Sequence, residues 1–180
     1  DAVPGGMNDW LAQGLGAARS STPLQPVVVT PDRMHAGLEG AGLGRRVVLA
    51  ESTSLEAVVK RLKLHLGIDH VRVATQNATG SVNEPRDTAI SRVALCPGAG
   101  GSLFAALPAP TAGGPDLYVT GEWGHHDVLA KTAQGASVIL TEHSNTERGF
   151  LPTYANWLQD GAPGVAVHVS TRDVDPLAVW

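Results

Sequence analysis

The sequence predicts an α/β fold with a mostly parallel sheet flanked by helices, and two observations lead to it. From residue 90 onward, short runs of β-branched and aliphatic residues alternate with helix-forming segments, which is typical of successive βαβ units. Several of these runs are apolar throughout and end in polar residues, as expected for buried strands of such a sheet. The chain of 180 residues is long enough to bury a sizeable core.

The second half of the chain carries the clearer pattern. Strands are predicted at residues 93–95, 117–119, 138–140 and 165–169, and helices within residues 98–107, 128–134 and 154–158. Parallel strands joined by right-handed connections have their carboxyl ends at the same edge of the sheet. The strands that end near Cys96, Thr120 and Thr141 should therefore be neighbours that open on one cleft.

The first half of the sequence predicts fewer helices and strands. Strands are expected at residues 45–50 and 71–74, with strand-like residues 27–29 in a Ser/Thr/Pro-rich connector and a polar hairpin or loop at residues 75–87. Asn8 or Asp9 is predicted to cap a short helix that Gly16 ends. A second helix should start at the caps 52–54 and present an apolar face formed by Leu55, Val58, Val59, Leu62 and Leu66. The chain is divided accordingly into residues 1–44, with a helix, a strand and a connector, and residues 45–180, which form the α/β domain.

Composition excludes several classes of protein. A net charge of −4 with 17% charged residues provides no broad basic surface, so binding of nucleic acid through phosphate neutralisation has little support. No apolar run approaches the roughly 20 residues that span a bilayer, so no membrane partner is expected. The single Cys96 cannot form an intrachain disulfide, which fits a reducing compartment such as the cytoplasm.

His143 and Glu147 form the most informative pattern. They follow the predicted strand at residues 138–140, at the sheet edge where open α/β sheets bind ligands. In a helix, four-residue spacing places an imidazole and a carboxylate on one face, about 5 to 6 Å apart at Cβ. This spacing suits a metal ion, and the alternative is a helix cap in which a polar side chain of residues 144–146 accepts from free N–H groups.

A glycine-rich turn follows the strand that ends at Cys96. Gly98, Gly100, Gly101 and Ser102 could present backbone N–H groups to a phosphate or another anion. The turn lacks the Gly-Lys-Ser/Thr ending of a P-loop, and a tight strand-to-helix turn without a ligand is the alternative.

Glu122 follows the predicted strand at residues 117–119. It could face the cleft as a general base or as the partner of a metal-bound histidine, or it could cap the next helix. His125 and His126 are adjacent residues whose side chains diverge by about 100° on a helix, so they are not expected to bind one ion together.

Several separated motifs carry a further signal: Asp1-Ala2 and residues 8–16, 93–102, 116–127, 138–151 and 173–177. Together they resemble the NIF-three-like family, whose members are also called GTP cyclohydrolase I type 2 homologues. The resemblance is closest to the eukaryotic branch and covers most of the chain.

The resemblance implies two α/β domains, two divalent metal ions in a cleft, and a ring-shaped homo-oligomer. It maps metal ligands onto Asp1, His143 and Glu147. The family's early His-His pair has no counterpart, so the chain is expected to be a carboxyl-terminal portion that holds metal poorly, with a processed form as the alternative.

These points predict a metal-dependent hydrolase that acts on a nucleotide or another phosphorylated small molecule, with Glu122 as the catalytic residue. Mixed nitrogen and oxygen ligands suit Zn, Fe, Mn or Ni without selecting among them. The alternative is a non-catalytic, metal-stabilised scaffold or a transcription-related protein-interaction module. A cytoplasmic location is expected, with the nucleus and mitochondria as alternatives.

Overall fold

The computed structural model describes residues 1–27, 38–76, 88–175 and 177, and its main element is a six-stranded mixed sheet with helices on its faces. The strands of this sheet are β1 (Ala18–Thr22), β4 (Arg45–Ser54), β5 (Arg72–Ala74), β6 (Ala89–Cys96), β7 (Leu117–Thr120) and β8 (Ser137–Leu140). A separate short hairpin consists of β2 (Gln25–Pro26) and β3 (Gly42–Leu43). The helices are α1 (Met7–Gln13), α2 (Leu55–Leu66), α3 (Gly101–Phe104), α4 (His125–Ala133) and α5 (Leu151–Gly161).

The strand order is β1-β4-β6-β7-β8-β5, and its centre is parallel. β6, β7 and β8 run side by side, with Cys96 opposite Thr120 and Thr120 opposite Leu140. β4 is antiparallel to β6, β1 to β4, and β5 to β8, so only β4 and β5 run against the other strands. The predicted α/β fold is confirmed, and so is the prediction that the strands ending near residues 96, 120 and 141 are neighbours.

Side chains of the central strands alternate between two cores. Val93, Leu95 and Val119 pack with α1 and α2 on one face, whereas Ala94 and Tyr118 pack with Phe104 and Val128 on the other. This alternation follows from the two-residue period of a strand. Because both faces are covered, the central strands have to be apolar throughout, as their sequence is.

α2 forms as its sequence predicts. The Ser54 hydroxyl accepts a hydrogen bond from the N–H of Ala57 at 3.2 Å, and Gly67 ends the helix in the left-handed region with φ +67°. Leu55, Val58 and Leu62 are buried, while the remaining two apolar residues of the predicted face, Val59 and Leu66, pack against the same core.

Several local predictions are wrong. α1 begins at Met7 after Gly6, so Asn8 and Asp9 lie within the helix and neither is its cap. The helix ends at Gln13 and is followed by Gly14, so Gly16 does not end it. Residues 165–169 form no strand, since the outer edge of β8 is already paired with β5. The expectations for residues 28–29 and 77–87 lie outside the described residues.

No helix in the described part of the chain is long and apolar enough to cross a membrane. β1 pairs with β4, so residues before position 44 contribute a strand to the main sheet. The division at residues 44 and 45 stays a prediction.

A buried ion pair joins α1 to the sheet. Arg45 is 2% exposed, and its guanidinium donates to both carboxylate oxygens of Asp9 and to the carbonyls of Gly42 and Gly44. Burial alone raises the pKa of Asp9, but the hydrogen bonds from Arg45 and Gly5 together with the Arg45 charge hold it below its usual value. The carboxylate is therefore ionised and paired at neutral pH.

Asp9→Asn should lower the free energy of unfolding by about 3 kcal/mol, because it leaves the buried Arg45 charge without a counter-charge. The measurement is urea denaturation at pH 7. Since the folded-state pKa of Asp9 is lowered, the stabilisation by this pair is present above pH ~4 and is lost as the pH falls through the folded-state pKa.

The matched control is Glu56→Gln, which removes the carboxylate of the exposed Glu56–Lys60 pair on α2. A pair of this kind contributes only about 0.3 to 0.5 kcal/mol. Equal losses in the two variants would contradict a structural role for the Asp9–Arg45 pair.

Candidate functional site

Three loops meet at the carboxyl edge of the parallel strands. The carbonyl of Gly98, which follows β6, accepts hydrogen bonds from the N–H groups of Gly121 at 2.9 Å and Glu122 at 3.1 Å, both of which follow β7. The carbonyl of Gly121 in turn accepts from the N–H of Glu142 at 2.9 Å, after β8. The parallel register therefore brings Gly98, Glu122 and the residue after Glu142, which is His143, into one small region.

The backbone is unusual directly before His143. Glu142 has φ +68° and is the only residue other than glycine with positive φ in the described ranges. Its carboxylate lies 3.1 Å from the guanidinium of Arg72 on β5. Because side-chain-bearing residues rarely adopt this conformation, the surrounding contacts must hold it, and they determine where His143 projects.

His143 lies between two glutamates. Its Nδ1 is 2.6 Å from Oε1 of Glu122, and its Nε2 is 3.4 Å from Oε1 of Glu147. An ionised carboxylate can only accept, so Nδ1 carries the proton and donates to Glu122. The side chains of Glu122, His143 and Glu147, called the His143 site below, are all partly open to solvent.

The electrostatics of the His143 site favour a positive charge. The hydrogen bond with Glu122 raises the pKa of His143 above its ordinary value, burial opposes this rise, and the negative charges of Glu147, Glu122 and Asp175 add to it. A proton therefore binds to this imidazole more readily than to an isolated one. A cation that binds at Nε2 would meet the same carboxylates.

Glu147 faces His143, but it does not lie in the first turn of an α-helix, and the helix expected there is absent. Two short 3₁₀ helices, Ser144–Thr146 and Arg148–Phe150, precede α5, and Glu147 lies between them. The polar residues between the two side chains do not cap a helix either. Asn145 donates to the carbonyl of Thr141 at 2.7 Å, and Thr146 binds the turn after β6.

Two buried threonines hold Gly98 from both sides. The hydroxyl of Thr146 accepts from the N–H of Gly98 at 2.7 Å and donates to the carbonyl of His143 at 2.6 Å. The hydroxyl of Thr120 donates to the carbonyl of Gly98 at 3.0 Å and accepts from the N–H of Gly100 at 2.9 Å. These two threonines carry no signal in the sequence beyond their position after apolar strands.

Gly98 is required in this position. It has φ +64°, and a Cβ atom here would lie 2.8 Å from Nε2 of His143 and 3.0 Å from Oε1 of Glu147. Glycine therefore leaves open the space that both side chains face.

Two backbone N–H groups of the glycine-rich turn are already hydrogen-bonded within the protein. The N–H groups of Gly98 and Gly100 are bound by threonine hydroxyls, and the backbone of Gly101 packs against the indole of Trp123, where a Cβ atom would lie only 2.7 Å from the ring. Gly101 and Ser102 line a groove of about 400 Å³ together with Glu122 and Trp123. A binding role for Gly98, Gly100, Gly101 and Ser102 stays a prediction.

Asp1 lies in a different cavity, of about 240 Å³, which it lines with Asn8, Cys96 and Pro97. Its carbonyl accepts a hydrogen bond from the Asn8 amide at 2.7 Å. Among the described residues, no group of three or more His, Cys, Asp and Glu side chains is arranged to hold a metal ion. The ligand roles predicted for Asp1, His143 and Glu147 stay predictions, and of these three the structure brings together only His143 and Glu147.

The remaining histidines of the described residues, and Cys96, lie outside the His143 site. His125 and His126 are exposed at the start of α4, with their rings in an edge contact at 5.8 Å. His65 packs against the Trp10 ring, while His70 and His168 are exposed. Burial, with a contribution from the Glu147 charge, raises the pKa of Cys96 to about 11, so its thiol is protonated at neutral pH.

Thr146→Val should loosen the His143 loop, because it leaves the buried N–H of Gly98 without its partner and removes one of the two hydrogen bonds to the carbonyl of His143. We expect a loss of about 1 to 3 kcal/mol in the free energy of unfolding and faster hydrogen exchange at the Gly98 amide. The exposed residue Thr111 supplies the control variant, Thr111→Val, which should change neither quantity. Unchanged exchange at Gly98 in Thr146→Val would contradict the assigned hydrogen bond.

Comparison with known proteins shows which family the chain belongs to. A protein NIF3 homolog of Schizosaccharomyces pombe is 39% identical, over 98% of this chain and 60% of the relative. The NGG1-interacting factor 3 of Saccharomyces cerevisiae is also 39% identical, over 99% of this chain and 58% of the relative. The chain thus spans little more than half the length of these two relatives.

The fold has a close counterpart among solved structures. A Staphylococcus aureus hypothetical protein superposes with a TM-score of 0.72 at 21% identity, over 100% of this chain and 66% of that protein. The family model Duf34/NIF3 (NGG1p interacting factor 3) matches residues 1–176. The expected resemblance is confirmed, and the chain belongs to the Duf34/NIF3 family.

Proposed function

We propose that the His143 site is part of a divalent-metal centre of a hydrolase that acts on a phosphorylated small molecule. The observation that carries the proposal is the position of His143, with Nδ1 bound to Glu122 and Nε2 facing Glu147. Metal-binding histidines commonly donate their second N–H to a carboxylate, which sets the tautomer and orients the ring.

The side chains present fit a metal ion in their chemistry. Glu122 keeps the proton of His143 on Nδ1, so the lone pair of Nε2 faces the carboxylate of Glu147. Gly98 keeps the adjacent space free of side-chain atoms. A mixed imidazole and carboxylate set of this kind suits Zn, Fe, Mn or Ni. Two divalent ions, with Asp1 as a further ligand, belong to the same proposal for the intact protein.

A divalent ion held here would polarise a substrate oxygen and lower the pKa of a bound water. The protein contributes orientation around that ion. Glu122 holds the His143 ring and also lines the groove, so its carboxylate can accept a proton from a reacting group there. Trp123 lines the same groove beside it.

A nucleotide or another phosphorylated small molecule is the proposed substrate class. The groove of about 400 Å³ next to Glu122 is within the usual size range of small-molecule sites. Gly101 and Ser102 are the members of the glycine-rich turn that line this groove, so they are the residues of the turn proposed to contact the ligand.

The second candidate function is a protein-interaction module. The name of the Saccharomyces cerevisiae relative, NGG1-interacting factor 3, describes a protein with a protein partner. In this chain α5 exposes Tyr154, Trp157 and Leu158, and no residue of that helix is buried. This apolar surface also supports the proposal that copies of the protein form a ring-shaped homo-oligomer. The name of the yeast relative supports a nuclear location, beside the cytoplasmic and mitochondrial alternatives.

The metal proposal predicts weak but specific binding of Zn²⁺ or Co²⁺ by this chain, because only His143 and Glu147 face one position among the described candidate ligands. His143→Ala and Glu147→Gln should each abolish binding in isothermal titration. Glu122→Gln should weaken it about 10- to 100-fold by releasing the His143 ring. His70→Ala, which removes an exposed histidine, is the control and should leave binding unchanged.

The binding should also depend on pH. Because the pKa of His143 is raised, protons compete with the ion, and affinity should fall by about tenfold per pH unit below that pKa. Binding that is insensitive to His143→Ala, or to pH between 5 and 8, would contradict the assignment.

One comparison separates the two functions. Hydrolysis of phosphorylated compounds that is lost in Glu122→Gln, while metal still binds at saturating concentration, would support the hydrolase. Partner binding that persists after complete metal removal, in a protein without turnover, would support the interaction module.

A further inference from the structure

The carboxyl-terminal tail returns to the loop that carries His143 and Glu147. After α5 the described tail residues form neither helix nor strand. Gln159 holds the first part of the tail, by donating to the carbonyl of Val165 at 2.9 Å and accepting from the N–H of Val167 at 3.3 Å. The second part is held by contacts with the loop itself.

Arg148 makes the main contact with the tail. Its Nε and Nη2 donate to the two carboxylate oxygens of Asp173, both at 2.9 Å, and its Nη1 lies 3.6 Å from Asp175. The same two-pronged geometry is the one by which a guanidinium binds a phosphate. Asp173 therefore occupies the position in which an oxyanion ligand would be bound.

This contact adjoins the His143 site. Arg148 directly follows Glu147, and the Asp175 charge is among those that raise the pKa of His143. The other arginine next to the site, Arg72, is already paired with Glu142 at 3.1 Å. Of these two arginines, Arg148 is the one that is next in sequence to a predicted metal ligand, Glu147.

The tail is held here by polar contacts that can be exchanged. The side chain of Asp173 is 48% exposed, and the neighbouring Val174 is 73% exposed and buries little apolar surface. Exposed ion pairs contribute little to stability, so a ligand with the same charge can replace the carboxylate. Release of residues 173–175 would leave both cores intact, because neither core includes them.

We propose that Arg148 is an oxyanion-binding residue of the His143 site, and that Asp173 and Asp175 are an internal competitor that a phosphate or carboxylate ligand displaces. The tail then acts as an autoinhibitory strap. The inference rests on the proposed function in one respect, which is that the ligand carries an oxyanion next to Glu147.

The test is a titration of the metal-free protein with inorganic phosphate and, separately, with acetate, followed by NMR. We expect phosphate to shift the Nε–H signal of Arg148 and to increase the mobility of residues 173–175 in the heteronuclear NOE. If the tail is docked for nine tenths of the time, Asp173→Asn should tighten phosphate binding about tenfold. Arg148→Lys retains the charge but lacks the two-pronged geometry, and should weaken it.

The control is Asp69→Asn, which also removes one exposed carboxylate but leaves the Arg148–Asp173 and Arg72–Glu142 contacts in place. It should change phosphate affinity less than twofold. An equal gain in Asp69→Asn and Asp173→Asn would overturn the proposal, since the effect would then be one of net charge. Phosphate binding with residues 173–175 still docked, or unaffected by Arg148→Lys, would overturn it as well.

The two anions distinguish the sources of the oxyanion. Displacement of the tail by acetate and not by phosphate would support the strap, while contradicting a phosphorylated substrate. Since no metal is present, this experiment is independent of the Zn²⁺ and Co²⁺ titrations, and either proposal can fail alone.

Discussion

The His143 site depends on the hydrogen bonds of one residue, Gly98. Its N–H is bound by Thr146 and its carbonyl by Thr120 and by the N–H groups of Gly121 and Glu122. These bonds join the loop after β6 to the loops after β7 and β8, which are also joined to each other by the bond from the N–H of Glu142 to the carbonyl of Gly121. Because the bonded groups are buried, each broken bond would leave an unsatisfied polar group, so the three loops are held as one unit.

The hydrogen bonds of Gly98 account for the strained backbone at Glu142 and for the position of His143 between two glutamates. With the loop after β8 held by Thr146 and Asn145, the backbone at Glu142 adopts φ +68°, and the short 3₁₀ turns replace a regular helix. His143 then projects toward Glu122 on one side and Glu147 on the other. An imidazole so oriented before any ligand arrives loses less freedom on binding, and preorganisation of this kind is typical of metal and catalytic sites.

The surroundings of the site combine strong and exchangeable contacts. The buried pair of Arg45 with Asp9 fixes α1 against the sheet, and the Trp10 ring of α1 packs so closely against Gly149 that a Cβ atom there would lie 2.2 Å away. In contrast, the pair of Arg148 with Asp173 is solvent-exposed and can be replaced by another oxyanion. The same chemistry, an arginine with a carboxylate, therefore stabilises the fold in one place and permits regulation in the other, and the difference is burial.

The sequence by itself determined the fold class, the neighbouring strands at residues 93–95, 117–119 and 138–140, and the capped helix α2. Local periodicity and the short connections between elements contain this information, since a strand covered on both faces must be apolar and successive parallel strands lie side by side. Only the tertiary structure decided the roles of Thr120 and Thr146, the donation from His143 to Glu122, and the contact of the tail with Arg148. These contacts join residues about 20 to 50 positions apart in the chain, where no local pattern constrains the partner. The absence of a strand at residues 165–169 has the same cause, because β5, far away in sequence, had already paired with β8.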